Sequence, residues 1–288
     1  MFELVYFVTG VIGSVLASIT DLKTTEIPDK IPYAMIAIAI IFFSAESILT
    51  SNYLLIGKSF FVGLSFLGFG FLMYYLGQWG GGDAKILSAI GFLFPELPKG
   101  FNVDLILPFP LSFLFNLFFL GSIYMLFYSF VLSIMNKTIL FEFVKDLKAT
   151  SNWLILSLVS ILALFVGLNF YVSYTLQLDK SFVQIVLSSI LPLSVSVLLF
   201  LLWKFARNVE TFGFKKKISV SKLSVGDVLL DSKVWEGITQ KQLNKIKASG
   251  KKSIWIKEGI RFVPAFPIAL LFTLFLGDSF ILLAKLLI

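Results

Sequence analysis

The sequence predicts an all-α polytopic membrane protein of about eight transmembrane helices, with a small cytoplasmic α+β subdomain before the last helix. Composition is the first support: 58 % of the 288 residues are hydrophobic, 14 % are charged and 33 are Phe. A typical soluble domain has about 25 % charged residues and could not bury this much apolar surface. The second support is that apolar runs of membrane-spanning length alternate with short polar segments.

Apolar runs follow one another along most of the chain, and a membrane-spanning helix needs roughly 20 such residues. One run, residues 84–95, begins after a glycine-rich loop and ends at Pro95, so we interpret it as a short or tilted span. Basic residues concentrate in alternate polar segments, which places the N-terminus outside and the segments after the first and third spans inside. The longer runs are 4–20, 31–46, 53–77, 105–135, 153–176, 182–203 and 263–288. Within one of them, Asn116 is expected to make an interhelical hydrogen bond.

A long polar stretch interrupts this pattern near the end of the chain. The predicted domains are a transmembrane domain (1–203), a basic cytoplasmic subdomain (204–262) and a last transmembrane helix (263–288). The subdomain has 14 basic and 5 acidic residues, which indicates contact with anionic lipid head groups. Segments typical of strands (224–230 and 253–257) and of a helix (239–248) predict its α+β fold. Nucleic-acid binding is disfavoured because no RNA or DNA motif accompanies the lysines.

The composition also limits the chemistry that the chain can perform. Cys and His are both absent from the sequence. Their absence excludes disulfides, Cys/His zinc sites, and hydrolysis by Ser-His-Asp or Cys-His arrangements. Any catalysis must therefore use carboxylates, Lys, Tyr, Ser or Thr.

Two acidic residues are predicted to lie at the same, inner face of the membrane. Asp21 closes the first span, and Asp83 opens the short fourth one after three glycines. Helix capping would explain Asp83, because the helix dipole favours an anion at a helix N-terminus. The dipole disfavours an anion at the C-terminal end of a helix, so the position of Asp21 needs another explanation. Packing of the two helices side by side would bring the carboxylates together.

Two neighbouring carboxylates are suited to hydrolysis without His, Cys or a metal ion. Because both cannot ionise at low cost, one pKa falls, the other rises, and the pair shares a proton. The ionised member can take a proton from water while the protonated member polarises the scissile carbonyl. Gly80, Gly81 and Gly82 lack a Cβ, so a substrate strand or a neighbouring helix could approach the Asp83 backbone closely.

The two acidic segments resemble the motifs of a known family. Gly-Gly-Gly-Asp at 80–83 resembles the GxGD box of the type IV prepilin peptidases, and the Asp21 segment that ends in Glu-Ile-Pro-Asp resembles their first aspartate box. Residues 254–267 and Gly277-Asp278 resemble the archaeal preflagellin and prepilin peptidase branch. The resemblance implies a membrane-embedded aspartic endopeptidase, with its catalytic core within residues 1–135 and Asp21 and Asp83 as the catalytic pair. Its substrates would be pilin-like precursors, from which it removes a short basic leader at the cytoplasmic face of an archaeal cell membrane.

The resemblance also suggests what to expect of other residues in the two boxes. Lys85 is expected to keep Asp83 ionised as a charge neighbour, or to snorkel toward the interface. Glu26 and Asp29 are candidate contacts for the basic leader, or else residues of a solvated loop. Many bacterial members carry a paired-Cys segment and also methylate the new N-terminus. Because this chain has no Cys, we predict a protease that uses no S-adenosylmethionine, no other cofactor and no metal. Residues 153–203 add an apparent helix pair that shorter archaeal relatives lack.

Two alternatives stay open at this point. A GxGD intramembrane protease of the presenilin or signal-peptide-peptidase type would hold both aspartates deep within long hydrophobic helices. A non-enzymatic transporter or pilus-assembly scaffold would use carboxylates near the membrane midplane to bind ions. Here both aspartates flank the inner interface, which favours the prepilin peptidase interpretation, and an assay of leader cleavage separates the three.

Overall fold

The structure, a computed structural model, describes residues 2–232 and 237–281. It confirms a polytopic helical membrane protein with a small α+β subdomain. Its contacts divide the chain into two compact units, Met1–Tyr128 with Lys216–Ile288, and Ser129–Lys215. The helices are α1 (Phe2–Thr24), α2 (Lys30–Thr50), α3 (Leu54–Tyr75), α4 (Gly81–Leu93), α5 (Phe109–Met135), α6 (Lys137–Ala149), α7 (Ser151–Thr175), α8 (Phe182–Gly213), α9 (Gln240–Ala248) and α10 (Ala265–Leu276). The strands are β1 (Lys215–Ser219), β2 (Val228–Leu229) and β3 (Ser253–Lys257).

Six helices of the described residues are long and apolar enough to cross a membrane, namely α1, α2, α3, α5, α7 and α8. Helix α4 has 13 residues and α10 has 12, so at about 1.5 Å per residue both are shorter than a bilayer core. The short span predicted at 84–95 corresponds to α4. The helix predicted at 263–288 instead ends at Leu276, because Gly277 adopts a φ of 78°. Residues 282–288 of that prediction lie outside the described residues.

Helix α4 forms the buried centre of the first unit, because α1, α2 and α3 all contact it. Ten of its 13 residues are buried, as expected for a helix that is apolar all round. Small residues allow the close approach of α3. A Cβ added to Gly70 would lie only 2.7 Å from the Ala84 Cα atom, so the two backbones are nearly in contact. This packing holds the first turn of α4, and Asp83 with it, beside the end of α1.

A buried polar cluster joins α5 to the end of α10. The side-chain amide of Asn116, which is fully buried, donates to the Thr273 hydroxyl at 2.9 Å and to the Gly277 carbonyl at 2.8 Å. Its oxygen accepts the backbone N–H of Ser279 at 3.0 Å. The interhelical hydrogen bond expected of Asn116 is therefore present, and it stabilises the point where α10 stops.

Replacement of Asn116 by Ala is expected to destabilise the fold by about 1–3 kcal/mol, because it leaves buried backbone groups without partners. The measurement is the thermal unfolding midpoint of purified protein in detergent. Asn102 supplies the matched control, since it lies exposed in a loop and its replacement by Ala should change stability by less than about 0.5 kcal/mol. Equal midpoints for the two variants would contradict the role assigned to Asn116.

The α+β subdomain contains a three-stranded sheet in the order β1-β3-β2, with β2 antiparallel to β3. Strand β3 coincides with the predicted segment 253–257, and β2 lies within 224–230. Helix α9 begins after Thr239, whose hydroxyl accepts the backbone N–H of Gln242. Strand β1 was not predicted, because its sequence Lys-Lys-Lys-Ile-Ser has the composition of a solvated loop. The core of the subdomain is small and consists of Leu223, Ile238, Leu243 and Ile256.

The second unit contains α6, α7 and α8. The predicted helix pair at 153–203 corresponds to α7 and α8, but α8 continues ten residues beyond the predicted end, to Gly213. The continuation is stabilised by a buried Lys204, whose ammonium contacts the Asp146 carboxylate at 2.9 Å, and by Asn208, which donates to the same carboxylate. The hydrogen bond from Lys204 lowers the pKa of Asp146 below its ordinary value.

Candidate active site

Asp21 lies in the last turn of α1, on the face of the helix that packs into the first unit. That face includes Gly10, Ser14, Ala17 and Ser18, at helical spacing from Asp21. The residue is only 4 % exposed. A buried carboxylate needs hydrogen-bond donors, and one oxygen of Asp21 (Oδ2) accepts the backbone N–H of Val263 at 3.1 Å. The C-terminal end of this helix therefore accommodates a buried carboxyl group because another part of the chain supplies a donor.

Asp83 lies in the first turn of α4, where the unpaired backbone N–H groups of a helix favour an anion. Its Oδ2 atom accepts the N–H of Gly80 at 2.8 Å, and the residue is 8 % exposed. The N-cap of α4 is Gly80 and Asp83 is its third residue, so Asp83 takes part in capping by accepting the N–H of the N-cap residue and is not itself the N-cap.

Both aspartates line the same cavity, which has a volume of about 850 Å³ and lies within the first unit. Its walls are the first-box loop (residues 23–29), the second-box loop (78–82), part of α5, and residues from the α+β subdomain. The helix packing thus brings to one cavity two carboxylates that are 62 positions apart in the chain. Within the described residues, no group of three or more acidic side chains is arranged to hold a metal ion. That no metal or cofactor takes part stays a prediction.

The three glycines before Asp83 have different surroundings. Gly80 supplies the N–H that binds Asp83. A Cβ on Gly81 would meet only Tyr74, at 3.9 Å, which is an ordinary contact. A Cβ on Gly82 would lie 2.8 Å from the Cδ1 atom of Ile27 and 3.1 Å from its Cβ. Gly82 is therefore the point at which the second box packs directly against the first.

Lys85 pairs with a residue of the first box. Its ammonium lies 2.6 Å from the Asp29 carboxylate and 5.7 Å from the centre of the Tyr33 ring. The recorded ion-pair partner is therefore Asp29, whereas the sequence suggested a charge neighbour of Asp83 or a snorkelling side chain. The Lys85–Asp29 pair connects the start of α4 to the start of α2. The Gly82–Ile27 contact likewise connects the second box to the first.

Four acidic residues besides the two aspartates line the cavity. Asp29 pairs with Lys85, and Glu258 pairs with Lys216. Asp227 accepts the backbone N–H and the hydroxyl of Ser224 within its own turn. The structure records no cation for Glu26 among the residues it describes, and this side chain is exposed.

A segment to which the sequence assigned no role borders both boxes. Residues 258–264, here called the connecting segment, join β3 to α10. Val263 in this segment donates to Asp21, and Arg261 donates through Nε to the backbone carbonyl of Leu22 at 3.0 Å. The stretch was part of the family resemblance, but no local pattern in the sequence indicates contacts with residues about 240 positions earlier.

Comparison with known proteins agrees with the resemblance. Residues 8–135 match the model of the type IV leader peptidase family. A preflagellin peptidase of Methanocaldococcus jannaschii is 36 % identical over 95 residues, which cover 32 % of this chain and 39 % of that protein. The prepilin peptidase EppA of Methanothermobacter thermautotrophicus is 23 % identical over 205 residues, covering 67 % of this chain and 52 % of that protein. A preflagellin peptidase of Methanococcus maripaludis is 28 % identical over 143 residues, covering 46 % and 59 %.

These alignments cover part of each relative, since the chain spans 39 % to 59 % of the lengths of these three proteins. No solved structure matches the chain at a significant level. The matched region contains both aspartate boxes. The resemblance that these boxes predicted is thereby confirmed.

Proposed function

We propose, on the premise that residues 8–135 form a type IV leader peptidase region, that this protein is a membrane-embedded aspartic endopeptidase. It removes the short basic leader from type IV pilin-like precursors, of the preflagellin (archaellin) or prepilin kind. The observation that carries the proposal is the pair of buried carboxylates, one from each aspartate box, that line one cavity.

The mechanism uses Asp21 and Asp83 as a general base and a general acid acting on a water molecule. The ionised carboxylate takes a proton from the water, whose oxygen then attacks the carbonyl carbon of the scissile peptide bond. The protonated carboxyl group hydrogen-bonds the carbonyl oxygen and stabilises the charge that develops there. When the C–N bond breaks, the carboxyl pair gives a proton to the leaving nitrogen, which returns the pair to its singly protonated starting state. The products are the leader with a new carboxylate and the mature protein with a new amine.

The cytoplasmic face of the membrane is the proposed location of the cavity. Residues 224–228 of the subdomain form part of the cavity wall, so the cavity opens on the side where the subdomain lies. The subdomain as a whole (204–262) is strongly basic, with 14 basic and 5 acidic residues, and basic residues favour the cytoplasmic side. The precursor's hydrophobic segment would lie alongside the enzyme's helices while its leader enters the cavity. The lysines of the subdomain are proposed to contact anionic lipid head groups.

Glu26 is the proposed contact for a basic residue of the leader. Its carboxylate lines the cavity and has no cation partner among the residues that the structure describes, whereas the other leader contact suggested by the sequence, Asp29, already pairs with Lys85. Replacement of Glu26 by Gln is expected to raise KM for the precursor roughly 1.4-fold to fivefold, because an exposed ion pair contributes about 0.2–1 kcal/mol. Steady-state cleavage kinetics at low ionic strength measure this change, and added salt should diminish it.

Two comparisons test this assignment of Glu26. Replacement of Asp29 by Asn should raise KM less, since that carboxylate is already neutralised by Lys85. A precursor whose leader lysines are replaced by Gln should have the same KM with the wild type and with the Glu26→Gln enzyme, because the interaction between Glu26 and the leader is already absent. Equal KM values for the wild type and the Glu26→Gln variant would contradict the assignment.

The experiment that tests the function uses purified protein in detergent or liposomes and a panel of pilin-like precursors. Mass spectrometry of the products gives the position of each new N-terminus. We expect a cut between the basic leader and the hydrophobic segment. A cut within the hydrophobic segment would favour the presenilin type of protease. A folded protein that cleaves nothing in the panel would favour the transporter or scaffold alternative.

A further inference from the structure

The connecting segment makes its first set of contacts with the last turns of α1. The Val263 N–H donates to the Asp21 carboxylate at 3.1 Å, and the Val263 carbonyl accepts the Ser18 hydroxyl at 3.2 Å. Both backbone groups of Val263 therefore bond to the helix face that carries Asp21. A shift of this segment would remove the backbone donor that Val263 gives to that carboxylate.

Arg261 holds the segment in this place by three hydrogen bonds. Its Nε donates to the Leu22 carbonyl at 3.0 Å, and its Nη1 donates to the Tyr128 hydroxyl at 2.7 Å. The Arg261 carbonyl accepts the Tyr124 hydroxyl at 2.9 Å. A cation is favourable at a helix C-terminus, where the last carbonyls have no partners within the helix. The rigid fork of a guanidinium can reach two acceptors at once, which a lysine ammonium on a flexible chain does less well.

The same segment also contacts the second aspartate box. The ring of Phe262 lies 5.9 Å from that of Trp79, centre to centre. Trp79 is buried and directly precedes Gly80, whose N–H binds Asp83. The connecting segment therefore bonds to Asp21 on one side and packs against the support of Asp83 on the other.

We propose that Arg261 is a positioning residue, which holds the connecting segment between the two aspartate boxes and so sets the position of Asp21 relative to Asp83. This inference rests on the proposed function. Arg261 acts on the reaction through Val263 and Phe262. Because a small misplacement of catalytic groups can cost about a hundredfold in rate, loss of Arg261 should lower kcat far more than it changes KM.

The first test measures the position of the segment without any substrate. The chain has no Cys, so two introduced cysteines are the only thiols that can form a disulfide within it. A Cβ at position 259 would lie 3.1 Å from the Thr25 Cβ, close to the roughly 3.5–4.5 Å of a disulfide, so Thr25→Cys with Gly259→Cys should cross-link readily on mild oxidation. Adding Arg261→Gln should slow this cross-linking at least about fivefold. Adding Arg207→Gln, which removes an arginine in the second unit, should leave the rate unchanged.

The second test measures catalysis. Arg261→Gln is expected to lower kcat at least about tenfold with KM within about threefold, and Arg261→Lys should be intermediate. In the Arg261→Gln background, oxidation of the introduced cysteine pair should raise kcat several-fold over the reduced form of the same variant. The same oxidation with Arg261 present should give no such gain. Because a disulfide also stabilises the folded state, thermal unfolding of the reduced variant shows whether it was folded before oxidation.

The results separate this inference from the proposed function. Equal cross-linking rates with and without Arg261 would overturn the positioning role, as would a loss of kcat that oxidation does not reverse. If Arg261→Gln does not fold, Arg261→Lys and Tyr128→Phe take its place, and unchanged cross-linking in both would overturn the proposal. A third result is that the wild type cleaves no precursor although Arg261 still affects the cross-linking rate. In that case the proposed enzymatic function is wrong, and Arg261 positions the connecting segment without a role in catalysis.

Discussion

Replacement of either Asp21 or Asp83 by Asn should reduce leader cleavage by at least about 10³-fold, because each carboxylate is needed for one of the two proton transfers. The side chain of Asn keeps an oxygen that can accept the Val263 or the Gly80 N–H, so the fold should persist. The double variant should be hardly slower than either single variant, since residues that act as a unit have non-additive effects. Single-turnover cleavage of a precursor, with product analysis by mass spectrometry, measures these rates.

Asp29→Asn is the matched control for this experiment. It makes the same chemical change on the wall of the same cavity, to a carboxylate that pairs with Lys85. We expect it to retain most of the wild-type kcat. Thermal unfolding of all the variants shows whether any loss of rate reflects a loss of fold. If Asp21→Asn or Asp83→Asn cleaved at a near-wild-type rate, that aspartate would be a capping or loop residue and the dyad would be wrong.

Gly82→Ala should lower kcat about tenfold while leaving the protein folded. The added Cβ would lie 2.8 Å from the Ile27 Cδ1 atom, which can rotate away, and 3.1 Å from the Ile27 Cβ, which can yield only if the first-box loop shifts by a few tenths of an ångström. A misplacement of about 1 Å can cost about a hundredfold in rate, so this smaller shift should cost less. Ala is a better helix former than Gly by up to about 1 kcal/mol, so stability in the first turn of α4 should not fall for local reasons. Cleavage kinetics and thermal unfolding, measured on the same preparation, distinguish the two effects.

Gly81→Ala is the comparison for Gly82→Ala, because its Cβ would meet only Tyr74 at an ordinary distance. It should lose much less activity than Gly82→Ala. Shortening the opposing side chain, as Ile27→Ala in the Gly82→Ala background, should restore part of the rate. A Gly82→Ala enzyme as active as Gly81→Ala would mean that the contact between the two boxes does not control catalysis.

Most of the helices could be predicted because the length of an apolar run is a local property. The runs at 4–20, 31–46 and 53–77 correspond to α1, α2 and α3, and 84–95 to the short α4. Local composition was misleading at β1, where three consecutive lysines indicate a solvated loop but the structure has a strand. It also misplaced the end of α8, because the sequence does not show that Asp146 neutralises Lys204.

For the site, the sequence by itself determined which residues are the candidates. The absence of Cys and His leaves carboxylates, Lys, Tyr, Ser or Thr for any catalysis, and the two boxes mark Asp21 and Asp83 as the proposed pair. Only the tertiary structure decided the partners of these residues: Lys85 with Asp29, Gly82 against Ile27, and Val263 with Asp21 across 242 positions. The physical reason is that helix formation depends on neighbours along the chain, whereas a buried polar group takes whichever donor the packing brings within hydrogen-bond distance.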